Sequence, residues 1–184
     1  MRESRIIARL LLEDPDHGRA QERVLAENLL QNGSPATTRK YCRLVLARME
    51  ALTPDMVRSV AKGSEELAGS TLLAGVLRSL ALVADFMEDV LLVKVQTFEP
   101  ALCQTDWPRF LEERATVDPS VREWSETSRK KMGQVVFRML AEAGYLQSTR
   151  SLAIQFPGVP NELRASLESA GDERTLNLLQ LGRG

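Results

Sequence analysis

Apolar residues recur at intervals of three and four along most of the chain, as on one face of a helix. Ile6, Ile7, Leu10 and Leu11 show this spacing near the start. Ser34-Pro35 and Thr53-Pro54 mark helix starts, because the hydroxyl caps the first turn and proline fits within it. The pattern predicts helices over residues 4–13, 19–30, 35–51, 54–62, 64–80 and 80–98, from 106 onward, and over 125–144 and 161–170.

Two short segments differ from this pattern. Residues 152–156 alternate partly between apolar and polar side chains and end at Pro157-Gly158, which predicts a strand. Residues 90–95, rich in valine and leucine, are interpreted as helix, with a strand as the alternative. Because a long helix ending at Gly144 precedes the predicted strand, the C-terminal part is expected to form a winged unit.

The predicted fold class is therefore mainly α: a multi-helix bundle with an N-terminal helix-turn-helix and a small C-terminal β-wing. A chain of 184 residues forms one domain or two small ones. A weak boundary near Pro100 predicts a helical domain with the helix-turn-helix over residues 1–100. The winged-helix-like unit is then expected over residues 101–184.

The charge distribution is uneven although the net charge is only −1. Residues 1–50 carry nine Lys/Arg and seven Asp/Glu, and residues 116–150 carry six and four. Residues 51–115, between them, carry six and ten. Two mildly basic segments thus flank an acidic one, which permits local basic patches without a general attraction to nucleic acid.

The sequence also predicts the cellular location of the protein. Cys42 and Cys103 lie far apart, outside any Cys-x-x-Cys pair, and are interpreted as two buried thiols in a reducing cytosol. Charged residues near the start argue against a signal peptide. The longest uncharged runs are about eleven residues, against roughly twenty for a spanning helix. We therefore expect a cytoplasmic protein that does not enter a membrane.

The first candidate site is the predicted helix-turn-helix at residues 19–51, with a turn at Gln31-Asn32-Gly33. The start of its second helix carries hydroxyl and cationic side chains that can contact phosphates or bases: Thr37, Arg39, Lys40 and Arg43. The helical spacing places these cations in one solvent-facing sector, and Tyr41, Leu44, Val45 and Met49 in an apolar sector. The alternative is a helical bundle with a solvated basic face.

The second candidate is the basic triplet Arg129, Lys130 and Lys131, near Arg122 and Arg150. Positive charge at a helix start opposes the helix dipole, which favours an anion-binding role. The alternative is a solvated face balanced by nearby glutamates.

The sequence gives little support for base stacking, metal binding or catalysis. Trp107 and Trp124 could stack on bases, but are interpreted as core anchors beside Phe110 and Leu111. The single histidine, His17, has no partner at ligand spacing. The sequence shows no Ser-His-Asp set, metal site or phosphate-cradling glycine loop. We therefore expect no enzymatic activity, cofactor, metal or small-molecule substrate.

Several motifs, in their order, resemble the A component of the BREX bacteriophage-exclusion systems, a family of small bacterial proteins. An early match lies at Glu27-Asn28-Leu29-Leu30-Gln31 with Ser34-Pro35-Ala36-Thr37. Later matches are Trp107-x-x-Phe110-Leu111-Glu112, Trp124-Ser125-Glu126 with Arg129-Lys130-Lys131, and Met139-Leu140-x-Glu142-Ala143-Gly144. Each motif is short, so the specificity lies in their combined order and spacing.

The resemblance implies a cytoplasmic, mostly helical protein in a multi-gene anti-phage system. It implies a fold likened to NusB-type antitermination factors, and double-stranded DNA binding without enzymatic activity. The expected partners are double-stranded DNA and other phage-defence subunits. Two alternatives remain open at this stage: an RNA-binding, antitermination-like module, and a protein–protein adaptor in the same complex.

Overall fold

The structure is a computed structural model that describes residues 1–31 and 34–182. The described residues form α-helices joined by short connections, with one π-helical and one 3-10 segment. The α-helices are α1 (Arg2–Glu13), α2 (His17–Ala26), α3 (Pro35–Glu50), α4 (Pro54–Lys62), α5 (Glu65–Ser79), α6 (Ala81–Phe86), α7 (Val93–Gln96), α8 (Asp106–Val117), α9 (Glu126–Glu142), α10 (Asn161–Ser169) and α11 (Glu173–Gln180). The π-helix is Met87–Leu92 and the 3-10 helix is Pro119–Glu123.

The predicted helix starts are confirmed by their capping bonds. The Ser34 hydroxyl accepts a bond of 3.2 Å from the Thr37 amide, and Thr53 accepts one of 3.3 Å from the Met56 amide. Ser125 caps α9 in the same way, through the Ser128 amide at 3.2 Å. Each bond satisfies a first-turn N–H that has no partner within its helix.

The first compact unit consists of Met1–Ser79 and Val159–Glu173. Within it, α1 packs on α4 and α3, α2 packs on α3, and α10 packs on α4 and α5. Its core contains fully buried side chains from several helices: Ile7, Val24, Cys42, Met56 and Val60. Arg78 and Asp172 form an ion pair of 3.2 Å that links α5 to the segment after α10.

The second compact unit consists of Leu80–Gly158 and Arg174–Gly184. Its core is an aromatic cluster in which Phe86 meets the rings of Trp107 and Phe110 edge-on, at centroid distances of 5.2 and 5.4 Å. Phe137 from α9 joins the cluster at 6.1 Å. The buried Tyr145 hydroxyl donates a bond of 2.7 Å to the Leu179 carbonyl, which anchors α11. The predicted domain boundary at residue 100 lies within this unit.

The predicted helix over residues 80–98 is present as α6, the π-helix and α7 in succession. The strand alternative for residues 90–95 is not found. Leu91 and Leu92 are buried whereas Val93 is exposed. Successive side chains of a helix point in different directions, so neighbours can face the core and the solvent.

The prediction of a C-terminal β-wing is wrong. Among the described residues there is no strand, only the isolated antiparallel bridges Ala101–Ala153 and Leu146–Ile154. Leu152 and Ile154 are buried, as the alternation indicates, but Leu152 has a left-handed φ of 52°. Extended pairing therefore begins only after Leu152 and ends before Pro157, which leaves too few residues for a ladder.

No single helix in the described part of the chain is long and apolar enough to cross a membrane. Glu65–Ser79 and Ala81–Gln96 reach the required length and apolarity only when they are counted together.

Candidate nucleic-acid interface

Helix α3 buries one face and exposes the other. Its buried positions follow the helical repeat: Thr38, Cys42, Val45, Leu46 and Met49. The Thr38 hydroxyl donates a hydrogen bond of 3.1 Å to the Ser34 carbonyl, which stabilises the first turn of the helix. Burial raises the pKa of the Cys42 thiol, which stays protonated in the core. The opposite face is exposed.

The predicted site residues of α3 all lie on the exposed side: Thr37, Arg39, Lys40 and Arg43. The Thr37 hydroxyl lies 2.8 Å from that of Ser34, so it also takes part in the capping of α3. Arg39, Lys40 and Arg43 form no ion pair or hydrogen bond with a described residue. Their positive charges are therefore available to an external anion.

The other arginines of the first unit are engaged within it. Seven bond to a carboxylate, a carbonyl, an amide or a methionine sulfur: Arg2, Arg5, Arg9, Arg19, Arg23, Arg58 and Arg78. Arg48 and Arg164 also interact with the protein. Arg39 and Arg43 are thus the two arginines of this unit that lack a partner among residues 1–31 and 34–182. Such a pair favours a binding role over a structural one.

The sequence of α3 concentrates this charge. The helix contains four cationic residues and one carboxylate, Glu50 at its last position, which gives a net charge of +3 in a chain of net −1. Because interactions between exposed charges decay over about 10 Å at moderate ionic strength, a local excess matters more to an approaching phosphate than the net charge.

The predicted apolar sector of α3 is only partly correct. Val45 and Met49 are buried, but Tyr41 and Leu44 are 51% and 49% exposed. The sequence pattern missed them because α3 has apolar residues on both faces. Tyr41 borders a shallow groove of about 300 Å³ with Met1 and Ser4 at the start of α1.

The connection between α2 and α3 differs from the predicted turn. Helix α2 ends at Ala26, not at residue 30, and Asn28 and Gln31 adopt left-handed φ values of 46° and 54°. Residues 32 and 33, where the turn was predicted, lie outside the described residues. The helix-turn-helix therefore stays a prediction.

The second basic cluster separates into two kinds of residue. Arg129 is half-buried, and its guanidinium donates hydrogen bonds to the carbonyls of Val121, Arg122 and Trp124 at 3.0, 3.3 and 3.2 Å. These bonds stabilise the end of the 3-10 helix. Lys130 and Lys131 are exposed and have no bonding partner among the described residues. Within the triplet, the two lysines are thus the cations whose side chains are not engaged by another described residue.

Trp107 and Trp124 also differ. Trp107 is 2% exposed and its indole Nε1 donates a bond of 2.9 Å to the Arg129 carbonyl, which confirms it as a core residue. Trp124 is only partly buried, beside Ser128 and Met132 in a shallow pocket, so its role as a core anchor stays a prediction. Cys103, predicted to be buried, is exposed.

A cleft of about 450 Å³ lies between α8 and the first half of α9. Trp107 and Phe137 form its apolar side, and the rim mixes cations with carboxylates: Arg129, Lys130, Glu112 and Glu126. No group of three metal-ligating side chains is found among the described residues. The exposed face of α3 is thus the strongest candidate interface of the first unit, and Lys130 and Lys131 form a separate candidate contact on the second.

Comparison with known proteins identifies the family. The BrxA family model matches residues 1–171. The "BREX protein BrxA" of Escherichia coli O9:H4 (strain HS) is 31% identical over 97% of this chain and 84% of its own length. That of Paramagnetospirillum magneticum (strain ATCC 700264 / AMB-1) is 27% identical over 97% and 90%, respectively.

A solved structure supports the same relationship. The crystal structure of an uncharacterized protein from Magnetospirillum magneticum superposes with a TM-score of 0.87 at 26% identity. The match covers 97% of this chain and 92% of that one. The likeness therefore extends through both compact units, and the chain belongs to the BrxA family.

Proposed function

We propose that this protein is a cytoplasmic, non-enzymatic component of a BREX anti-phage system that binds double-stranded DNA through α3 and contacts other phage-defence subunits. The observation that carries the proposal is the exposed face of α3, where Arg39, Lys40 and Arg43 have no partner among the described residues. The BREX assignment is supported by the relatives named above.

The physical argument is electrostatic. Cationic side chains that neutralise phosphates release condensed counterions from DNA, so binding becomes favourable and strongly salt-dependent. An α-helix also fits the major groove of B-form DNA, which is about 12 Å wide. Helix α3 combines both properties, since its outward face carries the cations and its inward face is packed. Lys130 and Lys131 are proposed as further phosphate contacts that add affinity without sequence preference.

The test is a salt titration of duplex binding by the full-length protein, followed by fluorescence anisotropy. The triple variant Arg39→Ala/Lys40→Ala/Arg43→Ala should bind more weakly, and its log–log salt slope should fall by about 2.7 because three phosphate contacts are lost. The matched control is Arg19→Ala/Arg23→Ala/Arg58→Ala, which removes the same charge from cations that are paired with carboxylates. An equal effect of both variants would mean that only net charge matters and would contradict the proposed site.

A second candidate function, that of a protein–protein adaptor, is favoured by Phe98. This side chain is 93% exposed and its residue has a left-handed φ of 60°, an unfavourable conformation for a residue other than glycine. Exposed aromatic residues are common anchors of protein interfaces. Phe98→Ser should reduce co-purification with co-expressed phage-defence subunits, whereas Val117→Ser, also exposed at 77%, should not. RNA binding, the remaining alternative, is tested by including duplex and single-stranded RNA in the salt titration.

A further inference from the structure

The centre of the exposed face of α3 is apolar, with one lysine. Ala36, Lys40, Leu44 and Ala47 follow one another at intervals of four and three residues, so they lie along one line of the helix. All four are exposed, and they lie opposite the buried positions Thr38, Cys42 and Val45. Leu44 is the largest apolar side chain on this line, with 49% of its surface in water.

The cations border this line on one side. Arg39 and Arg43 are four residues apart, and Arg43 borders a shallow groove with His17, Gln21 and Ala47. Tyr41 lies on the other side, in the groove against the start of α1. When the two arginines meet a phosphate backbone, Lys40 and Leu44, which lie beside them on the exposed face, are directed at the base edges.

We propose that Leu44, aided by Ala47, contacts the 5-methyl groups of thymine in the major groove, so that the ligand is thymine-containing duplex DNA. This inference rests on the proposed DNA-binding function. The thymine methyl is the one apolar group that the major groove presents, and it is read by apolar side chains. Half-exposed Leu44 would lose its contact with water against that methyl group, whereas the polar base edges and the charged phosphates offer no apolar contact.

The same contact distinguishes DNA from RNA. Uracil lacks the 5-methyl group, and the major groove of A-form RNA is too deep and narrow for a helix to enter. An apolar line between cations therefore fits a duplex in which the methyl group is present and the groove is open. A face that bound only phosphates would not need leucine at position 44, since lysine or serine there would contact a phosphate at least as well.

The experiment compares two duplexes of one A·T-rich sequence, one with thymine and one with uracil in both DNA strands. They differ only in the methyl groups. The wild-type protein should bind the thymine duplex more tightly, by about fourfold for each methyl group that it covers. Leu44→Ala should lose most of this preference, because only the small methyl groups of Ala47 and of the substituted alanine would then meet the thymine methyls. Leu44→Met, which keeps an apolar side chain of similar size, should retain most of the preference.

The control is Val135→Ala on α9, which shortens a side chain that is 40% exposed and should leave the preference unchanged. Thermal melting checks that each variant is folded. Equal wild-type affinity for both duplexes, with binding still lost in the Arg39/Lys40/Arg43 variant, would overturn this inference and leave DNA binding intact. A preference that is undiminished in Leu44→Ala would overturn the role of Leu44. If the Arg39/Lys40/Arg43 variant bound duplex DNA as tightly as the wild type, both proposals would be overturned.

Discussion

Gly133 of α9 lies against the ring of Trp107 so closely that an added Cβ would be 2.5 Å from the indole Cδ1. The ring cannot move aside easily, because Phe86 and Phe110 pack against it at centroid distances of 5.2 and 5.7 Å. The absence of a side chain at Gly133 is therefore what allows α8 and α9 to approach each other here.

Gly133→Ala is expected to destabilise the protein even though alanine is the better helix former by about 1 kcal/mol. Overpacking a core typically costs about 1–3 kcal/mol, so after the gain in helix propensity the net loss in urea unfolding should be up to about 2 kcal/mol. Gly69→Ala on α5 is the matched control, since its Cβ would meet only the Met1 Cε, at an ordinary 3.6 Å. That variant should be neutral or more stable by up to about 1 kcal/mol. A stabilised Gly133→Ala protein would contradict the close packing.

The two tryptophans should differ in their contribution to stability. Trp107→Ala should cost roughly 3–5 kcal/mol, because it leaves a cavity in the aromatic cluster and removes the hydrogen bond to the Arg129 carbonyl. Trp124→Ala should cost clearly less, since this side chain is already partly in water. Chemical denaturation followed by far-UV circular dichroism measures both. Equal losses would show that Trp124 is a core residue after all.

The sequence predicted the helices best where the local chemistry is decisive. Ser34-Pro35 and Thr53-Pro54 cap α3 and α4 as expected, because capping depends on a few adjacent residues. Gly144 follows α9 with a φ of 82°, and the Tyr145 amide donates to the Leu140 carbonyl at 2.8 Å, which completes a glycine-dependent helix end. Such signals need no tertiary partner.

Other features depended on distant contacts and were missed. Helix α11 has Thr175, Leu178 and Leu179 buried, at a spacing that could have revealed it, but its short length gave a weak pattern. The predicted wing lacked strand partners of sufficient length. Arg129 and Lys130 look equivalent in the sequence, yet one bonds to three carbonyls and the other is exposed. Neighbouring cations can thus have different structural roles, and the difference depends on tertiary contacts that the local sequence does not contain.

The two cysteines should react at very different rates. Cys42 is fully buried, and burial raises the pKa of its thiol, so the reactive thiolate is scarce. Cys103 is exposed. A thiol reagent such as Ellman's reagent should therefore label one cysteine of the native protein quickly, and the second only after denaturation. Cys103→Ser should abolish the fast reaction, whereas Cys42→Ser should leave it unchanged; the reverse assignment would contradict the placement of Cys42.

Arg174 should hold the start of α11 in place. Its Nη2 lies 2.7 Å from both Asp85 Oδ1 and Glu88 Oε2, and these bonds raise its pKa. Asp85 is buried and is also paired with Arg114. Because Arg174 is half-exposed, Arg174→Ala should cost only about 1 kcal/mol or less in unfolding free energy.

Hydrogen exchange is the sharper measurement for this contact. Amides of α11 should exchange faster in Arg174→Ala, while those of α8 and α9 keep their protection. Asp85→Ala should destabilise the whole unit more, because it leaves two arginines without their shared carboxylate. Unchanged exchange in α11 would show that the Tyr145–Leu179 hydrogen bond suffices to anchor the helix.

Lys130 and Lys131 should contribute to DNA affinity, whereas Arg129 should contribute to stability. Lys130→Ala/Lys131→Ala removes two exposed, unpaired charges, so it should weaken binding to all duplex sequences about equally and lower the salt slope by up to about 1.8. Its melting temperature should match that of the wild type. Arg129→Ala removes charge-assisted bonds to three backbone carbonyls, two of them part-buried, and should cost about 1–3 kcal/mol. The comparison is informative because the three residues are adjacent and carry the same charge.

A lysine variant that alters sequence preference would contradict a phosphate-positioning role, and one that binds DNA as tightly as the wild type would leave α3 as the sole proposed interface.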